Sequence, residues 1–189
     1  MNEFFKVLDE KGKSFHGGKG QWHLPQNGQP GQWMDSIQGK LIACQNGYHV
    51  CKREQLLGWL GPSIYTIEID GEIIEEADKC IVRRARLLHK LNWNMQQMIL
   101  FAADCVEHVL PIFEKQYPGD LRPHTAINAA RAAGAAAGVA AGVAAGAAAG
   151  AAAWAAGAAG AAAWAAAWDA EREWQNETLE RLIKEKLEK

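Results

Sequence analysis

The sequence lacks a surplus of either charge. It has 20 basic and 22 acidic residues in 189, and the balance holds in the N-terminal, middle and C-terminal parts of the chain. Nucleic-acid-binding proteins usually concentrate Lys and Arg on one face or tail. The only basic cluster is formed by Arg83, Arg84 and Arg86. The composition therefore predicts no nucleic-acid partner.

The N-terminal residues lack the apolar segment of a secretory signal peptide. We therefore expect a cytoplasmic protein. In that compartment cysteines are usually reduced. The four cysteines are predicted to be reduced, buried thiols rather than a disulfide framework: Cys44, Cys51, Cys80 and Cys105.

The chain also lacks a complete metal-binding or phosphate-binding motif. Cys44, His49 and Cys51 lie close in sequence, but zinc sites usually use more closely spaced cysteine pairs, and a fourth ligand would have to come from another segment. The Gly-rich loop at residues 16–20 (HGGKG) does not have the full P-loop pattern. We therefore expect neither a metal nor a cofactor.

Charge is absent altogether from residues 132–168, which are only Ala, Gly, Val and Trp. Gly recurs at every fourth position from Gly134 to Gly150, and Trp154 takes the next place. On a helix this spacing forms one shallow ridge, which lets another backbone approach closely. The predicted interface residues are Gly134, Gly138, Gly142, Gly146, Gly150, Trp154, Trp164 and Trp168.

Residues 132–168 are compatible with two alternatives to an interface. The run is also typical of low-complexity sequence. A membrane span is the second alternative, but a helix of this length would measure about 55 Å against a hydrocarbon core of ~30 Å, and no Lys/Arg cluster flanks it. Seven Gly would cost one helix roughly 7 kcal/mol of propensity, so packing has to offset them. We expect self-association or a protein partner here, and no membrane.

The remaining pattern predicts an α+β protein. Residues 1–87 carry short strand patterns and turn signals, which predict a small β-rich domain. Residues 88–131 change to the three- and four-residue spacing of an amphipathic helix. Residues 132–189 are expected to form a long Ala/Gly-rich helix or helical hairpin that ends in a charged amphipathic helix.

Local signals divide these segments further. Strands are predicted at residues 4–8, 40–44, 48–50 and 64–69, and a short helix at residues 53–60. The Asn-Gly pair at residues 46–47 predicts a hairpin, and the Asp-Gly pair at residues 70–71 predicts a turn. Pro111 is predicted to kink or end the first helix, and Pro123 to begin the next one.

Large aromatic side chains are frequent in the β-rich segment. Most are expected in the core, but Trp22 and Trp33 stand in Gly/Pro-rich surroundings, where they are better placed to line a pocket. Together with His16 and His23 they form the candidate pocket.

Two segments resemble known families. Residues 4–91, including KVLDEKGKSFHGG and NGYHVCKREQLLGWLG, resemble an uncharacterised domain common in phage and prophage genomes. Residues 101–131 resemble the helical segment of bacterial immunity proteins, in which D-C-x-E-x-V-L-P-x-F-E and P-x-D-x-R-P patterns precede an Ala-rich region. Residues 104–114 match the first pattern, and Asp120, Arg122 and Pro123 match the end of the second. The family's tails usually mix Arg or Asp among the alanines, whereas residues 132–168 hold no charge.

The resemblance implies a phage or bacterial accessory protein in the cytoplasm of a bacterial host cell. It implies a non-enzymatic protein that binds a protein partner, such as a host defence factor or a toxin-type target. Neither family brings catalytic residues with it.

An alternative function follows from a second likeness. The order of a strand, Gly-Tyr-His near a turn, a short helix and a strand with Glu68 resembles the ADP-ribosyltransferase scaffold. That chemistry needs residues that clamp a nicotinamide dinucleotide, and usually a Glu. The likeness implies that Tyr48, His49 and Glu68 serve a nucleotide-using enzyme in the N-terminal domain. A small β-domain often presents Gly-Tyr-His by chance, so we prefer the non-enzymatic hypothesis.

The uncharged segment generates the first testable prediction. If residues 132–168 are an assembly surface, the full chain should form oligomers, whereas a chain that ends at Arg131 should be a monomer. Size-exclusion chromatography with light scattering on both chains measures this. Monomers in both cases would rule out self-association, and the surface would then need a foreign partner or fold back on its own chain.

Overall fold

The computed structural model describes residues 3–135 and 164–184, and the chain divides into two compact units. The first unit takes the described residues up to Asn94 and from Glu180 onward. The second takes the described residues of Met95–Leu179. Strands build the first unit and helices the second, so the α+β prediction is confirmed. The finer domain boundaries at residues 87 and 131 stay a prediction.

Four antiparallel strands close the first unit into a barrel in the order β1, β2, β4, β3. The strands are β1 (Phe4–Leu8), β2 (Tyr48–Lys52), β3 (Ser63–Glu75) and β4 (Cys80–Lys90). A short 3-10 helix, Arg53–Trp59, follows β2 where the sequence predicts a helix. Because every strand has a neighbour on both sides, closure protects the backbone groups that an open sheet edge would expose.

The barrel interior is filled from alternate positions of the strands. Since successive side chains on a strand point to opposite faces, only one face of each strand contributes. Trp22 and Met34, from the connection between β1 and β2, join the same core. The other buried members of this core are Leu8, Val50, Tyr65, Ile67, Cys80, Val82, Ala85 and Leu87.

The connection between β1 and β2 is anchored on β4 at every third residue. The N–H groups of Gly31, Met34 and Ile37 donate to the carbonyls of β4 at 2.8–3.0 Å, and the acceptors are Leu87, Ala85 and Arg83. A three-residue period is that of polyproline II backbone, in which one N–H in three faces the same side. The segment thus covers the part of β4 that β2 is too short to pair.

The predicted strand at residues 40–44 is wrong. Residues 43–45 form a turn, and a single bridge joins Ile42 to Asn46. The Asn46 side chain donates to the carbonyls of Gln38 and Lys40 at 2.9 Å, so a side chain takes acceptors that a strand would offer to a neighbour. The chain therefore turns at residues 43–45, before the Asn-Gly pair that is predicted to form the turn. The Asn-Gly pair instead leads directly into β2.

The predicted turn at residues 70–71 is also wrong, because β3 runs on to Glu75. The register shifts by one residue between Asp70 and Ile73, which marks a β-bulge, and Gly71 takes its φ of +90°. A glycine with positive φ is a usual residue of such bulges. The chain instead turns at residues 76–79, where the N–H of Glu76 donates to the carbonyl of Lys79 at 2.8 Å.

The basic cluster of the sequence lies on β4 beside the acidic residues of β3. Glu68 is directly opposite Arg86, and Asp70 is opposite Arg84. The two ion pairs measure 2.6 and 3.3 Å. Arg83 pairs with Glu72 at 2.5 Å. Cross-strand pairs of opposite charge stabilise a sheet surface.

The second unit consists of helices α1 (Met95–Gln116), α2 (Arg122–Ala135) and the part of α3 (Trp164–Lys184) that ends at Leu179. Pro111 does not end α1, contrary to one predicted outcome. Its ring is exposed, while Leu110 and Phe113 beside it are buried. This packing offsets the backbone hydrogen bond that a proline removes. Among the described residues, no helix is both long and apolar enough to cross a membrane.

Helix α2 begins at Arg122, one residue before the predicted start. Gly119 makes the preceding turn with a φ of +88°. The Asp120 carboxylate then accepts the N–H of Arg122 at 3.1 Å. Ile99 and Ala103 of α1 pack with Ala130 of α2, and the small alanines allow the two helices to lie close.

Gly31 provides a test of how tightly the connection between β1 and β2 is packed against itself. A Cβ at Gly31 would lie 1.9 Å from the carbonyl oxygen of His23, which is backbone and cannot move aside alone. We expect Gly31→Ala to lower the free energy of unfolding by about 2–4 kcal/mol. Chemical denaturation measures this. The control is Gly58→Ala, where the added Cβ has no neighbour within 4 Å and a change within about 1 kcal/mol is expected. Equal effects of the two substitutions would contradict the steric argument.

Candidate functional site

The first unit contains a cavity of about 560 Å³ beside β1 and β2. Volumes of this order are typical of small-molecule sites. Its walls come from β1, the Gly-rich loop, β2 with the turn before it, and the 3-10 helix. Basic and aromatic residues dominate the lining, which includes Lys6, Lys19, Lys79, His16, His49, Phe5, Phe15, Trp22, Tyr48 and Trp59. No described Asp or Glu is part of the lining.

Lys6 is the central charged residue of the cavity. On β1 it shares a face with Phe4 and Leu8, which belong to the barrel core. Its ammonium donates to the carbonyl of His49 at 2.7 Å and lies 5.2 Å from the centre of the Trp22 ring. Burial lowers the pKa of Lys6 to about 8. The sequence contained a signal for this residue, since it interrupts the apolar strand FFKVL at an inward position.

His49 shapes the turn that borders the cavity. Its Nε2 accepts the backbone N–H of Cys44 at 3.0 Å, so the neutral ring carries its proton on Nδ1. Burial lowers the pKa of His49, and the nearby Lys6 and Lys79 lower it further. A neutral imidazole with its lone pair engaged holds the turn in place and is not poised as a base.

His16 fixes the Gly-rich loop to the 3-10 helix. Its Nε2–H donates to the carbonyl of Trp59 at 2.8 Å. The His16 ring stands edge-on to Trp59 at 5.3 Å and to Phe15 at 5.0 Å. The indole N–H of Trp59 donates to the carbonyl of Asp78 at 2.6 Å. Phe15, His16 and Trp59 therefore form a chain of ring contacts, with each ring nearly perpendicular to the next.

The three residues named for the enzyme hypothesis are not brought together. Tyr48 and His49 both line the cavity. The Tyr48 hydroxyl donates to the carbonyl of Asp35 at 2.9 Å, and burial raises the pKa of Tyr48. Glu68 is not part of the lining, and its carboxylate is paired with Arg86 at 2.6 Å.

The predicted pocket residues also separate. His16 and Trp22 line the cavity, whereas His23 and Trp33 do not. The Trp33 ring lies 4.9 Å from the guanidinium of Arg84 and 4.8 Å from that of Arg86, as in cation–π contacts. Because the segment of Trp33 runs along β4, its ring meets the arginines of that strand.

The four cysteines are free thiols. Cys51 and Cys80 are buried as predicted, but the prediction is wrong for Cys44, which is exposed with a φ of +60° in the cavity wall. Burial raises the pKa of both Cys51 and Cys105 to about 12, so these thiols stay protonated at neutral pH. Within residues 3–135 and 164–184, no cluster of His, Cys, Asp and Glu has the geometry to hold a metal ion.

Most of the predicted Gly/Trp interface lies outside the described residues. Gly134 lies in α2, and Trp164 and Trp168 lie in α3. Gly138, Gly142, Gly146, Gly150 and Trp154 belong to residues 136–163, which the structure does not describe. The interface, and the choice between one long helix and a hairpin, stay predictions.

The second unit exposes three large apolar side chains close to the turn between α1 and α2. We define the α1–α2 patch as Ile112, Tyr117 and Leu121, which are 59%, 40% and 67% exposed. The turn beneath it is braced, since His124 and Glu114 pair across the helices at 2.6 Å and the rings of Phe113 and Tyr117 are in contact.

Polar contacts join the helices elsewhere in this unit. Arg131 of α2 pairs with Asp104 at 2.9 Å and with Glu107, both on α1. His108 bonds to Glu171 of α3 at 2.6 Å and stacks on Trp174 with ring centres 3.8 Å apart. The spacing along α1 predicts a solvent-exposed pair of Asp104 with His108. This prediction is wrong, because each residue has its partner on another helix.

The match to a known protein family lies in the helical part of the chain. Residues 92–136 match the family model described as Imm-5 like putative immunity protein. The match covers all of α1 and α2 and extends beyond residues 101–131, where the sequence motifs carry the resemblance. No curated protein and no solved structure shows a significant match to the chain. The phage-domain resemblance of residues 4–91 stays a prediction.

The cavity lysine provides a test of the site's electrostatics. The pKa of Lys6 is about 8 in the folded protein and ordinarily 10.5, so folding disfavours its charged form. Replacing the ammonium should therefore stabilise the fold at pH 7, and we expect Lys6→Met to raise the free energy of unfolding by about 1–2 kcal/mol after the lost hydrogen bond is subtracted.

The pH dependence of this effect has a definite sign. The gain should be largest below pH 8 and disappear as the pH rises from 8 to 10.5, because the unfolded wild-type chain then also loses its charge. Urea denaturation at several pH values measures it. Lys90→Met, at an exposed residue outside the lining, is the control. Destabilisation by Lys6→Met at pH 7 would contradict the electrostatic argument.

Proposed function

We propose that this protein is an immunity-type protein that neutralises a toxin-type protein by binding it. The family match over α1 and α2 is the observation that supports this function. It concerns the helical unit, and we therefore assign target recognition to that unit. The proposed mechanism is stoichiometric binding, which needs no catalytic residues.

The α1–α2 patch is the surface best suited to such a partner. Large apolar side chains that cluster on an exposed surface often mark a protein interface. Two members of the patch expose more than half of their surface, and all three lie within the family-matched residues. Charged residues surround it, among them the exposed Lys115 and Arg122. An apolar centre with a polar rim is the usual anatomy of an interface.

The patch is also held in shape before any partner binds. The Asp120 carboxylate accepts the side chain of Arg122 at 2.6 Å, which fixes the start of α2. The pair of His124 with Glu114 links the two helix ends. A surface that is already ordered loses less conformational entropy on binding, which favours affinity.

The test is protection of bacterial cells from a toxin. The full chain would be co-expressed with each member of a panel of bacterial toxin-type proteins, and both growth and complex formation would be measured. We expect growth to be restored and a stable complex to elute in size-exclusion chromatography. We expect the double variant Ile112→Glu, Leu121→Glu to weaken binding at least about 100-fold, because buried charges would replace apolar contacts.

The matched control is Ile73→Glu, which alters an exposed isoleucine of β3 outside the family-matched residues. This variant should protect as well as the wild type. Circular dichroism and thermal unfolding would establish that all variants are folded. Protection that is unaffected by the double variant would remove the α1–α2 patch from the proposal, and absence of any complex with the toxin would overturn the proposed function.

A further inference from the structure

The barrel cavity concentrates positive charge that the proposed function does not use. Its lining contains three lysines and no described carboxylate residue. Lys79 is balanced from outside the lining, by Asp78 at 3.0 Å and Glu76 at 3.2 Å. Lys6 and Lys19 have no carboxylate partner among the described residues. A desolvated ammonium without a counter-charge is unfavourable for folding, and such groups are typical of binding sites.

The position of Lys6 leaves donors for a ligand. An ammonium group has three hydrogens to donate. One goes to the carbonyl of His49 at 2.7 Å, which holds the group still, and no other hydrogen-bond acceptor is seen for it among the described residues. Two donors therefore remain for an anionic group. Charge-assisted hydrogen bonds of this kind are about twice as strong as neutral ones.

Another part of the lining is aromatic. Phe15, His16 and Trp59 form a wall of edge-on rings, and Phe15 is 42% exposed. The face of a single exposed ring, such as that of Phe15, can bind a planar ligand ring by stacking, with little preference among bases. The ligand therefore combines an anion with a ring.

The Gly-rich loop lets a ligand approach the backbone. Gly17 has a φ of +76°, and a Cβ there would have no neighbour within 4 Å, so the loop borders open space at this point. At Gly18 a Cβ would lie 2.9 Å from the Cβ of Ser14, so the loop folds tightly against itself without side chains. Backbone that bears no side chains is common where phosphate groups approach a protein.

We propose that this cavity binds a small anion that carries a planar ring, with the chemistry of a nucleoside monophosphate. The phosphate contacts Lys6, and the ring lies against Phe15 and Trp59. A cavity of about 560 Å³ is large enough for such a molecule. The site lies in the barrel unit and is independent of the immunity-type function assigned to the helical unit.

The experiment is a set of titrations of the full chain by isothermal calorimetry. The ligands are adenosine and uridine monophosphates, the two nucleosides without phosphate, and inorganic phosphate. We expect the monophosphates to bind at least about tenfold more tightly than either the nucleosides or phosphate, because only they engage both halves of the cavity. Chemical shifts of the Gly17 and Gly18 amides on adding adenosine monophosphate would place the ligand.

Single substitutions test the contribution of Lys6 and that of the aromatic rings separately. Lys6→Met should weaken monophosphate binding about 10- to 100-fold, and Phe15→Leu about 2- to 10-fold. Lys90→Met removes the same charge outside the lining and should bind as the wild type does. Since the Lys6 substitution is expected to stabilise the fold, a loss of binding cannot be ascribed to unfolding. The proposal is overturned if no monophosphate binds at 10 mM, roughly the weak limit of specific recognition, if phosphate alone binds as tightly, or if Lys6→Met and Lys90→Met behave alike.

Discussion

Closure of the four-stranded barrel is the constraint on which the rest of the first unit depends. Because β1 is paired with β2 on one side and β3 on the other, its five residues have no freedom to turn a face away from the interior. Phe5 and Val7 are buried on one face of this strand, while Lys6 shares the other face with Phe4 and Leu8. The register places Lys6 on the inward side with Phe4 and Leu8. The cavity's charge is therefore a consequence of the same pairing that closes the barrel.

Lys6 lowers the stability of the fold, yet it is the residue that the proposed anion contacts. Burial disfavours the ammonium of Lys6, as its lowered pKa shows. The surrounding contacts compensate only in part, through the carbonyl of His49 and the face of Trp22. Binding sites commonly keep such locally unfavourable groups, because a ligand of opposite charge relieves the cost when it binds. The barrel tolerates the lysine because the rest of its core is apolar and buried.

The helical unit is organised by a different principle. Alanines bring α1 and α2 together at one point of its interior, and side-chain pairs tie its helices to one another. The large apolar side chains Ile112 and Leu121 are left outside. The immunity-type family match covers α1 and α2, to which we have assigned recognition as a proposal, while the barrel supplies a separate cavity. The two units thus present surfaces of different chemistry.

Local pattern alone was sufficient for much of the secondary structure. It predicted β1 at its observed residues, the helical turn after β2, and the change from strands to helices near residue 92, since these depend on periodicity and on Gly and Pro at element ends. It also placed His16, Trp22, Tyr48 and His49 among the candidate residues, and all four line the cavity. Residues 4–8 are a strand in any context that buries alternate side chains.

Tertiary contacts decided the rest. The Asp-Gly pair at residues 70–71 became a bulge because β4 continued to pair beyond it, and Asn46 broke the expected strand because its side chain bonds to the carbonyls of Gln38 and Lys40. Glu68 and Trp33 were drawn to the arginines of β4 and away from the cavity. Composition and spacing determined which segments became strands or helices. Which side chains meet was decided by strand register and helix packing, because these depend on residues far apart in the chain.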